Sequence, residues 1–359
     1  MTTLSSDTHF SGSYLPNDVQ FLLQPTQTQT ISIAQKEQMI GRGIHYGHLL
    51  SREEAPSAIY QQLFTDALER NGQLMARHIV ALAYELIRQE KSVLVSLARG
   101  GTPIGVLLKR TIEYLGHSVW HYSVSIIRDH GIDPEALRQI CQQHRGSQIA
   151  FIDGWTGKGV INSSLKASVK AFNQSHHENI SSDLFVLCDP IGIADTAATH
   201  HDYLLPNAML NATVSGLISR TILSQAGFHQ VMLLEDLQTN DVSRFFVDSI
   251  MEIVRQALKE PRQAVVHASS QRQALCQKTL GEISKRFNLS LNHVKPSIGE
   301  ATRVLLRRQP EALILQKSTL DTKHLENLAA QTCPVIFESS LPYAAIALIK
   351  GQPDHQGEI

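Results

Sequence analysis

The sequence is poor in cysteine, and its cysteines are not spaced as a framework. The 359 residues contain four, Cys141, Cys188, Cys276 and Cys333, and no two of them form a CxxC pair. Zinc ribbons and disulfide frameworks need cysteines at short, paired spacings. Both classes are therefore excluded, and the scatter is typical of a reducing compartment. We expect a cytoplasmic protein.

Long apolar runs are also missing. No run of 18 apolar residues occurs, and residues 1–20 are polar, without the apolar stretch of a signal peptide. We expect neither a membrane span nor a secretory signal.

The sequence also lacks an excess of positive or negative charge. The 32 basic and 33 acidic residues give a net charge of -1. The chain has no overall field that would attract nucleic acid, so any such contact must come from a local patch. At 42% hydrophobic and 18% charged residues, the composition is typical of a globular protein long enough for two domains.

Short apolar runs alternate with segments of helical periodicity through the first part of the chain. Strands are predicted at 92–97, 118–127, 149–152 and 184–188, and helices at 56–89, 104–115, 134–144 and 160–172. This alternation predicts an α/β fold with a doubly wound parallel sheet. Apolar residues near positions 10–23 are expected to attach an N-terminal arm to the surface of this domain. Residues 207–223 and 245–258 are expected to be helical.

A second alternation begins after Pro261. Strands are predicted at 264–267, 291–294, 312–315 and 335–338, and helices at 271–287, 299–308, 322–330 and 343–349. About 100 residues of this kind are enough for a smaller α/β domain. The predicted organisation is an arm or hood at 1–45, a main domain at 46–240, a linker helix at 241–260 and a C-terminal domain at 261–359.

Three loops of the main domain carry phosphate-binding chemistry. They are residues 99–101, 128–131 and 153–159, and each follows a predicted strand. A parallel sheet gathers such loops at one edge. Cationic side chains and glycine amides bind phosphate, and a carboxylate binds sugar hydroxyls or Mg²⁺. The alternative is that the glycines only satisfy the geometry of ordinary turns and that Arg99 pairs with a surface acid.

Larger blocks around these loops carry a resemblance. Residues 96–105, 125–128 with 131–133, 151–159, and 205–208 with 210–217 resemble the phosphoribosyltransferase family of tellurite-resistance and stress-response operons. Its members carry a C-terminal Pelota-type RNA-binding domain and are also labelled cysteine protease StiP. Residues 303–308 and 341–343 resemble that Pelota-type domain. The resemblance implies a phosphoribosyltransferase-like domain at 46–240 and a Pelota/L7Ae-like domain at 261–359.

The resemblance also implies roles for individual residues. Arg99 and the amides of Gly100 and Gly101 would hold the leaving pyrophosphate, with Arg128 reaching over it. Asp153 would bind the ribose hydroxyls. The 5′-phosphate would be bound by Thr156, Gly157, Lys158 and Gly159. The implied activity is a Mg²⁺-dependent glycosyltransferase reaction that moves ribose 5-phosphate from PRPP to a base or an RNA-linked acceptor.

One departure from that family pattern concerns the acids. Gly154 stands where general phosphoribosyltransferases have a second acid beside the first. Asp129 and Asp189 are possible substitutes, and their spacing does not distinguish them.

Two alternatives to a transferase stay open. The first is a cysteine hydrolase in which Cys188, at the end of a predicted strand, is activated by the following His200-His201-Asp202. A buried structural cysteine is the commoner case. The second is a non-catalytic RNA-binding protein that senses PRPP or a nucleotide.

The C-terminal domain contains a local basic cluster. We expect Lys295, Arg303, Arg307 and Arg308 to contact an RNA backbone, although such charges usually belong to a solvated face. The sequence leaves the oligomeric state open, a homo-oligomer included.

Overall fold

A computed structural model describes residues 10–32, 35–36, 38–39, 42–224 and 226–350. In chain order the strands are β1 (Gln20–Leu22), β2 (Gln24–Pro25), β3 (Val93–Ala98), β4 (Trp120–Ile127), β5 (Gly131–Ile132), β6 (Ile149–Trp155), β7 (Leu184–Cys188), β8 (Thr196–Thr199), β9 (Gln230–Val231), β10 (Val266–His267), β11 (Val294–Pro296), β12 (Pro310–Leu315), β13 (Val335–Phe337) and β14 (Ala345–Ile349). The α-helices are α1 (Ala58–Arg88), α2 (Thr102–Tyr114), α3 (Pro134–Gln143), α4 (Val160–His176), α5 (Ser243–Ala257), α6 (Ser270–Arg286), α7 (Ile298–Arg307) and α8 (Lys323–Ala329).

The central sheet is mainly parallel. Its order is β1-β4-β3-β6-β7-β8-β10, with β5 paired to β4. The pairs from β1 through β8 are parallel, and β10 closes the edge in the antiparallel direction. The predicted α/β fold with a parallel sheet is confirmed.

Apolar side chains alternate between the two faces of this sheet. Leu94 joins an apolar cluster with α1, α2 and α5, whereas its neighbours Val93 and Val95 join a second cluster with α3 and α4. Successive strand residues point to opposite faces, so continuous apolar runs are buried on both sides. Helices therefore cover both faces of the sheet, which leaves its strand ends for polar residues.

The N-terminal arm is part of the sheet rather than a surface attachment. β1 pairs in parallel with β4, from Gln20 opposite Tyr122 to Leu22 opposite Val124. Phe21 and Leu22 are buried. The expectation of a surface arm is wrong because the short apolar run supplies an edge strand.

The predicted helix at 207–223 is also wrong. Short 3₁₀ turns at Pro206–Ala208 and Ala212–Val214 are followed by extended backbone. Nearly the whole segment is buried, so it has no polar face for an amphipathic helix. Two of its hydroxyl groups bond to backbone instead: Ser215 donates to the Asn211 carbonyl, and Ser219 accepts the N–H of Met232 at 2.9 Å.

The second sheet has the order β11-β14-β12-β13. The predicted helix at 343–349 is wrong, because β14 runs through the middle of this sheet. Its Ala-Ile-Ala-Leu run is buried and lacks helical spacing, as expected for a central strand. The strand predicted at 291–294 is replaced by a 3₁₀ turn, Leu291–His293, and β11 begins at Val294.

The two sheets are joined through α7. Ile298 and Ala301 of α7 belong to the same apolar cluster as Leu205 and Ala208 of the first domain. The C-terminal domain therefore packs directly against the part of the first domain that carries the predicted loops. Among the helices that the structure describes, none is both long and apolar enough to cross a membrane.

Candidate functional site

The first and third predicted loops come together. β3 lies beside β4 and β6, and all three run in the same direction, so their carboxyl ends share one edge. A Cβ atom added to Gly100 would lie 3.6 Å from Oδ1 of Asp153. The second loop is on the same edge, where the charge of Arg128 acts on Lys158.

Arg99 is engaged in an ion pair. Its Nη1 lies 2.5 Å from Oε1 of Glu53 and donates to the carbonyl of Ile218 at 3.0 Å. Both charged side chains are largely buried. The backbone N–H of Gly101 donates to the carbonyl of Leu97 in β3 at 2.9 Å, and the Gly100 carbonyl accepts from Asn207 at 3.4 Å. Arg99 thus has an acidic partner, as the alternative reading expects, but that partner is mostly buried.

Asp153 lies at the carboxyl end of β6. Its Oδ1 accepts the N–H of Gly154 at 2.8 Å. Burial raises the pKa of Asp153 to about 6, and the Gly154 hydrogen bond and the charge of Arg303 partly oppose that shift. The carboxylate is therefore held by the backbone at the end of its own strand, and the nearby positive charge of Arg303 comes from the C-terminal domain.

The loop at 156–159 is covered by that domain. The Thr156 hydroxyl donates to Asp189, and the Gly157 carbonyl accepts from the Tyr343 hydroxyl at 3.2 Å. The Lys158 ammonium donates to the Leu291 carbonyl at 2.7 Å. Burial and the positive charges of Lys295 and Arg128 lower the pKa of Lys158 to about 8. The side chains expected to bind a 5′-phosphate therefore have protein partners.

The turn into α4 explains one of the glycines. Gly159 precedes α4 with a φ of 81°, in the left-handed region that favours glycine. A Cβ atom there would lie 2.6 Å from Cδ1 of Ile193. This glycine is required by backbone geometry and close packing, whatever ligand the loop binds.

Arg128 and the two acids named as substitutes differ in their surroundings. The Arg128 carbonyl accepts from the Tyr46 hydroxyl at 3.4 Å, and its Nε is buried without a hydrogen-bond partner. Asp129 is exposed, 3.9 Å from His45. Asp189 is buried and accepts the N–H groups of Gly192 at 3.0 Å and Ala194 at 2.8 Å.

Two of the predicted RNA-binding residues contact the first domain. Arg303 donates to the Ala208 carbonyl at 3.1 Å, and its guanidinium carbon lies 4.9 Å from the Trp155 ring centroid. Arg307 donates to the Met209 carbonyl at 3.2 Å. Lys295 lies in β11, and Arg308 follows the last residue of α7.

Cys188 is the last residue of β7. Its thiol is buried and donates to the His201 carbonyl, with Sγ and the oxygen 2.9 Å apart. Burial and the negative charge of Asp202 raise the pKa of the Cys188 thiol well above its ordinary value. Nδ1 of His200 lies 2.9 Å from the Asp189 carbonyl oxygen, and the His201 ring stacks on Tyr203. The fold therefore places the thiol against the loop that carries the two histidines, and the contact is a hydrogen bond to the backbone of that loop.

The surroundings of the other three cysteines also favour the protonated thiol over the thiolate. Burial raises the pKa of Cys141, to about 11, and the pKa values of Cys276 and Cys333. All four cysteines are unpaired. Within the described ranges, no group of three or more histidine, cysteine, aspartate or glutamate side chains is arranged to hold a metal ion.

Two residues fix the loops around Cys188. Sequence reasoning named Asp202 beside the two histidines but not this structural role, and it missed Arg272. Asp202 accepts the N–H of Ile298 at 3.0 Å and that of Ala344 at 3.2 Å. Arg272 donates to the carbonyls of Pro190 at 2.6 Å and Pro342 at 3.1 Å. The partners of Asp202 lie 96 and 142 residues along the chain, so no local pattern marks it.

The fold and site define a two-domain α/β protein. The first domain has a mainly parallel sheet with a cysteine at the end of one strand, and the smaller second domain has a basic helix. The chain belongs to the StiP family: residues 12–251 match the sequence model described as tellurite-like stress resistance cysteine protease StiP. Residues 274–351 match the PELOTA RNA binding domain. The chain is 36% identical over 366 residues to "Cysteine protease StiP" of Acinetobacter baylyi (strain ATCC 33305 / BD413 / ADP1), covering 95% of this chain and 94% of that protein.

These matches confirm the StiP family and the Pelota domain and correct the predicted activity. The interpretation as a Mg²⁺-dependent phosphoribosyltransferase is wrong, because both the family description and the relative's name specify a cysteine protease. PRPP is not supported as a partner. The expectation of Mg²⁺ depends on PRPP and stays an untested prediction.

Proposed function

We propose that the protein is a cysteine protease with Cys188 as its nucleophile. One observation carries the choice of cysteine: the Cys188 thiol hydrogen-bonds the main chain of His201, at the carboxyl end of a central parallel strand. Functional groups of open parallel sheets concentrate at that edge. The family description and the relative's name supply the reaction class.

His200 is the proposed base. A carbonyl oxygen can only accept, so the contact with Asp189 requires that Nδ1 of His200 carries the proton. Nε2 is then the nitrogen able to accept the thiol proton. The thiolate would attack the peptide carbonyl, and the imidazolium would protonate the leaving amine before water releases the acyl group. Because the Cys188 thiol is buried and bonded to a main-chain carbonyl, we infer that the described conformation is a resting one.

The test compares Cys188→Ser with Cys141→Ser in a fluorogenic casein assay. Removing the nucleophile should reduce kcat/KM by on the order of 10³-fold or more, whereas Cys141→Ser should retain activity. His200→Gln should cause a comparable loss with unchanged thermal unfolding. Wild-type activity in Cys188→Ser would eliminate the assignment.

RNA binding by the C-terminal domain is a second proposed function. The Pelota match at 274–351 supports it, as do Lys295, Arg303, Arg307 and Arg308. Fluorescence anisotropy with a labelled RNA oligonucleotide tests it, with affinity expected to fall as salt rises. The unpaired cysteines support a reducing compartment, and we keep the cytoplasm within this proposal. Assembly into a homo-oligomer stays a prediction.

A further inference from the structure

The basic side of α7 is occupied by the first domain. Arg303 donates to the Ala208 carbonyl and Arg307 to the Met209 carbonyl. Arg307 also donates to the Tyr60 hydroxyl of α1 at 3.3 Å. These two arginines cannot contact an RNA backbone in the same way while they hold these partners.

The same packing fixes both loops around Cys188. Asp202, next to the residue whose carbonyl holds the thiol, accepts the first N–H of α7 from Ile298. Arg272 of α6 donates to the Pro190 carbonyl on one side of the thiol at 2.6 Å and to the His200 carbonyl on the other at 3.4 Å. The C-terminal domain therefore holds the two segments that flank the buried thiol, and these segments would have to move to expose it.

We propose that RNA and the first domain compete for the basic side of α7, so that RNA binding releases the C-terminal domain and exposes Cys188. This proposal rests on the proposed protease and RNA-binding functions. It assigns one surface, Arg303 and Arg307 of α7, to two exclusive contacts.

The chemistry of the contacts favours exchange. Across the domain contact both guanidinium groups donate to neutral carbonyl oxygens, whereas the charged partner of Arg303, Glu300 at 3.3 Å, lies on α7 itself and moves with it. A phosphate oxygen is charged, and hydrogen bonds between two charged groups are about twice as strong as neutral ones. RNA thus has a differential affinity for the open state, which any ligand-driven shift requires. Turning a population from 1:99 to 99:1 requires about 10⁴-fold tighter binding to the open state.

The alternative is permanent docking. Arginines that donate to main-chain carbonyls are common structural links between packed segments. RNA would then bind another side of the C-terminal domain, and the exposure of Cys188 would not depend on it.

The two cases differ in the alkylation rate of Cys188, which does not depend on protease activity. The full-length protein is treated with iodoacetamide with and without a mixed-sequence RNA oligonucleotide, and each cysteine is quantified by mass spectrometry. We expect saturating RNA to accelerate Cys188 alkylation by at least about tenfold. Cys141, in α3 and away from the docking surface, should react at an unchanged rate and serves as the internal control.

Two sets of variants separate competition from permanent docking. Arg272→Gln removes the contacts with Pro190 and His200 and should accelerate Cys188 alkylation without RNA. Arg286→Gln is the matched control, because Arg286 lies on the same helix but pairs with Glu338 within the C-terminal domain. The double variant Arg303→Gln/Arg307→Gln should weaken RNA binding and also accelerate the alkylation of Cys188. Permanent docking does not produce this combination.

Each failure has its own signature. If RNA binds in the anisotropy assay and the alkylation rate of Cys188 stays unchanged, competition is overturned while both proposed functions stand. If RNA does not bind, competition and the RNA-binding function fall together. The protease function is decided separately by Cys188→Ser.

Discussion

The carboxylate of Asp202 accepts the backbone N–H of Ile298 at 3.0 and 3.1 Å, so an acid of the first domain caps a helix of the second. Ile298 begins α7, and helix N-termini carry a positive partial charge that stabilises a nearby carboxylate. Burial outweighs this effect and raises the pKa of Asp202 to about 7. We therefore expect this contact between the two domains to be sensitive to pH.

Asp202→Asn should change how stability depends on pH. The pKa of Asp202 is higher in the folded protein, at about 7, than its ordinary value of 3.8, so the folded state retains the proton between these values. Raising the pH through this window favours the unfolded state. Relative to Asp202→Asn, wild type should lose up to about 1.4 kcal/mol of unfolding free energy per pH unit. Urea denaturation at several pH values measures this, and parallel profiles would contradict it.

The ion pair of Arg99 and Glu53 should contribute to stability. Its 2.5 Å contact and low exposure mean that either partner alone is left as a poorly solvated charge. We expect Glu53→Gln or Arg99→Met to cost about 2–4 kcal/mol, with a coupling energy of at least about 1 kcal/mol in a double-mutant cycle.

The neighbouring pair of Arg52 and Asp236 is the control for this cycle. Its partners are 3.9 Å apart and largely exposed. A coupling energy below about 0.5 kcal/mol is expected there. Equal coupling in the two cycles would show that burial does not strengthen the Arg99 pair.

Much of the central sheet is predictable because its signals are local. Apolar runs identify β3, β4, β6 and β7 near their observed positions, since each buried strand is continuous in sequence. The same run in β14 is mistaken for a helix, because a short apolar segment is ambiguous without its sheet partners. Residues 207–223 fail for a related reason: some of their polar groups bond to distant segments, as Asn207 does to Gly100 and Ser219 to Met232.

The site is less predictable than the fold. The loops after β3 and β6 are brought together as the topology requires, but their partners are non-local. Glu53 lies 46 residues before Arg99, and Tyr343 lies 186 residues after Gly157. Sequence patterns identify side chains able to bind phosphate, and only tertiary structure shows that protein groups occupy them.

Gly105→Ala should destabilise the protein. A Cβ atom at Gly105 would lie 2.1 Å from Nε2 of His121, a buried ring fixed by Ser96 and by the Asp18 carbonyl, each at 2.8 Å. We expect a loss of about 1–3 kcal/mol by chemical denaturation. Gly281→Ala in α6 is the control, because nothing lies within 4 Å of its added Cβ and it should gain about 0.5–1 kcal/mol. A neutral Gly105→Ala would show that His121 can move without cost.

The cysteines should differ in reactivity in the folded protein. Cys188 and Cys276 are buried, whereas Cys141 and Cys333 are partly exposed. Alkylation of a buried thiol requires local opening, so we expect Cys188 to react at least about 100-fold more slowly than Cys141, which corresponds to an opening free energy of about 2.7 kcal/mol. In denaturant all four should react alike. If Cys188 reacts as fast as Cys141 in native buffer without RNA, the thiol is not covered in solution and the resting conformation proposed for the protease is wrong.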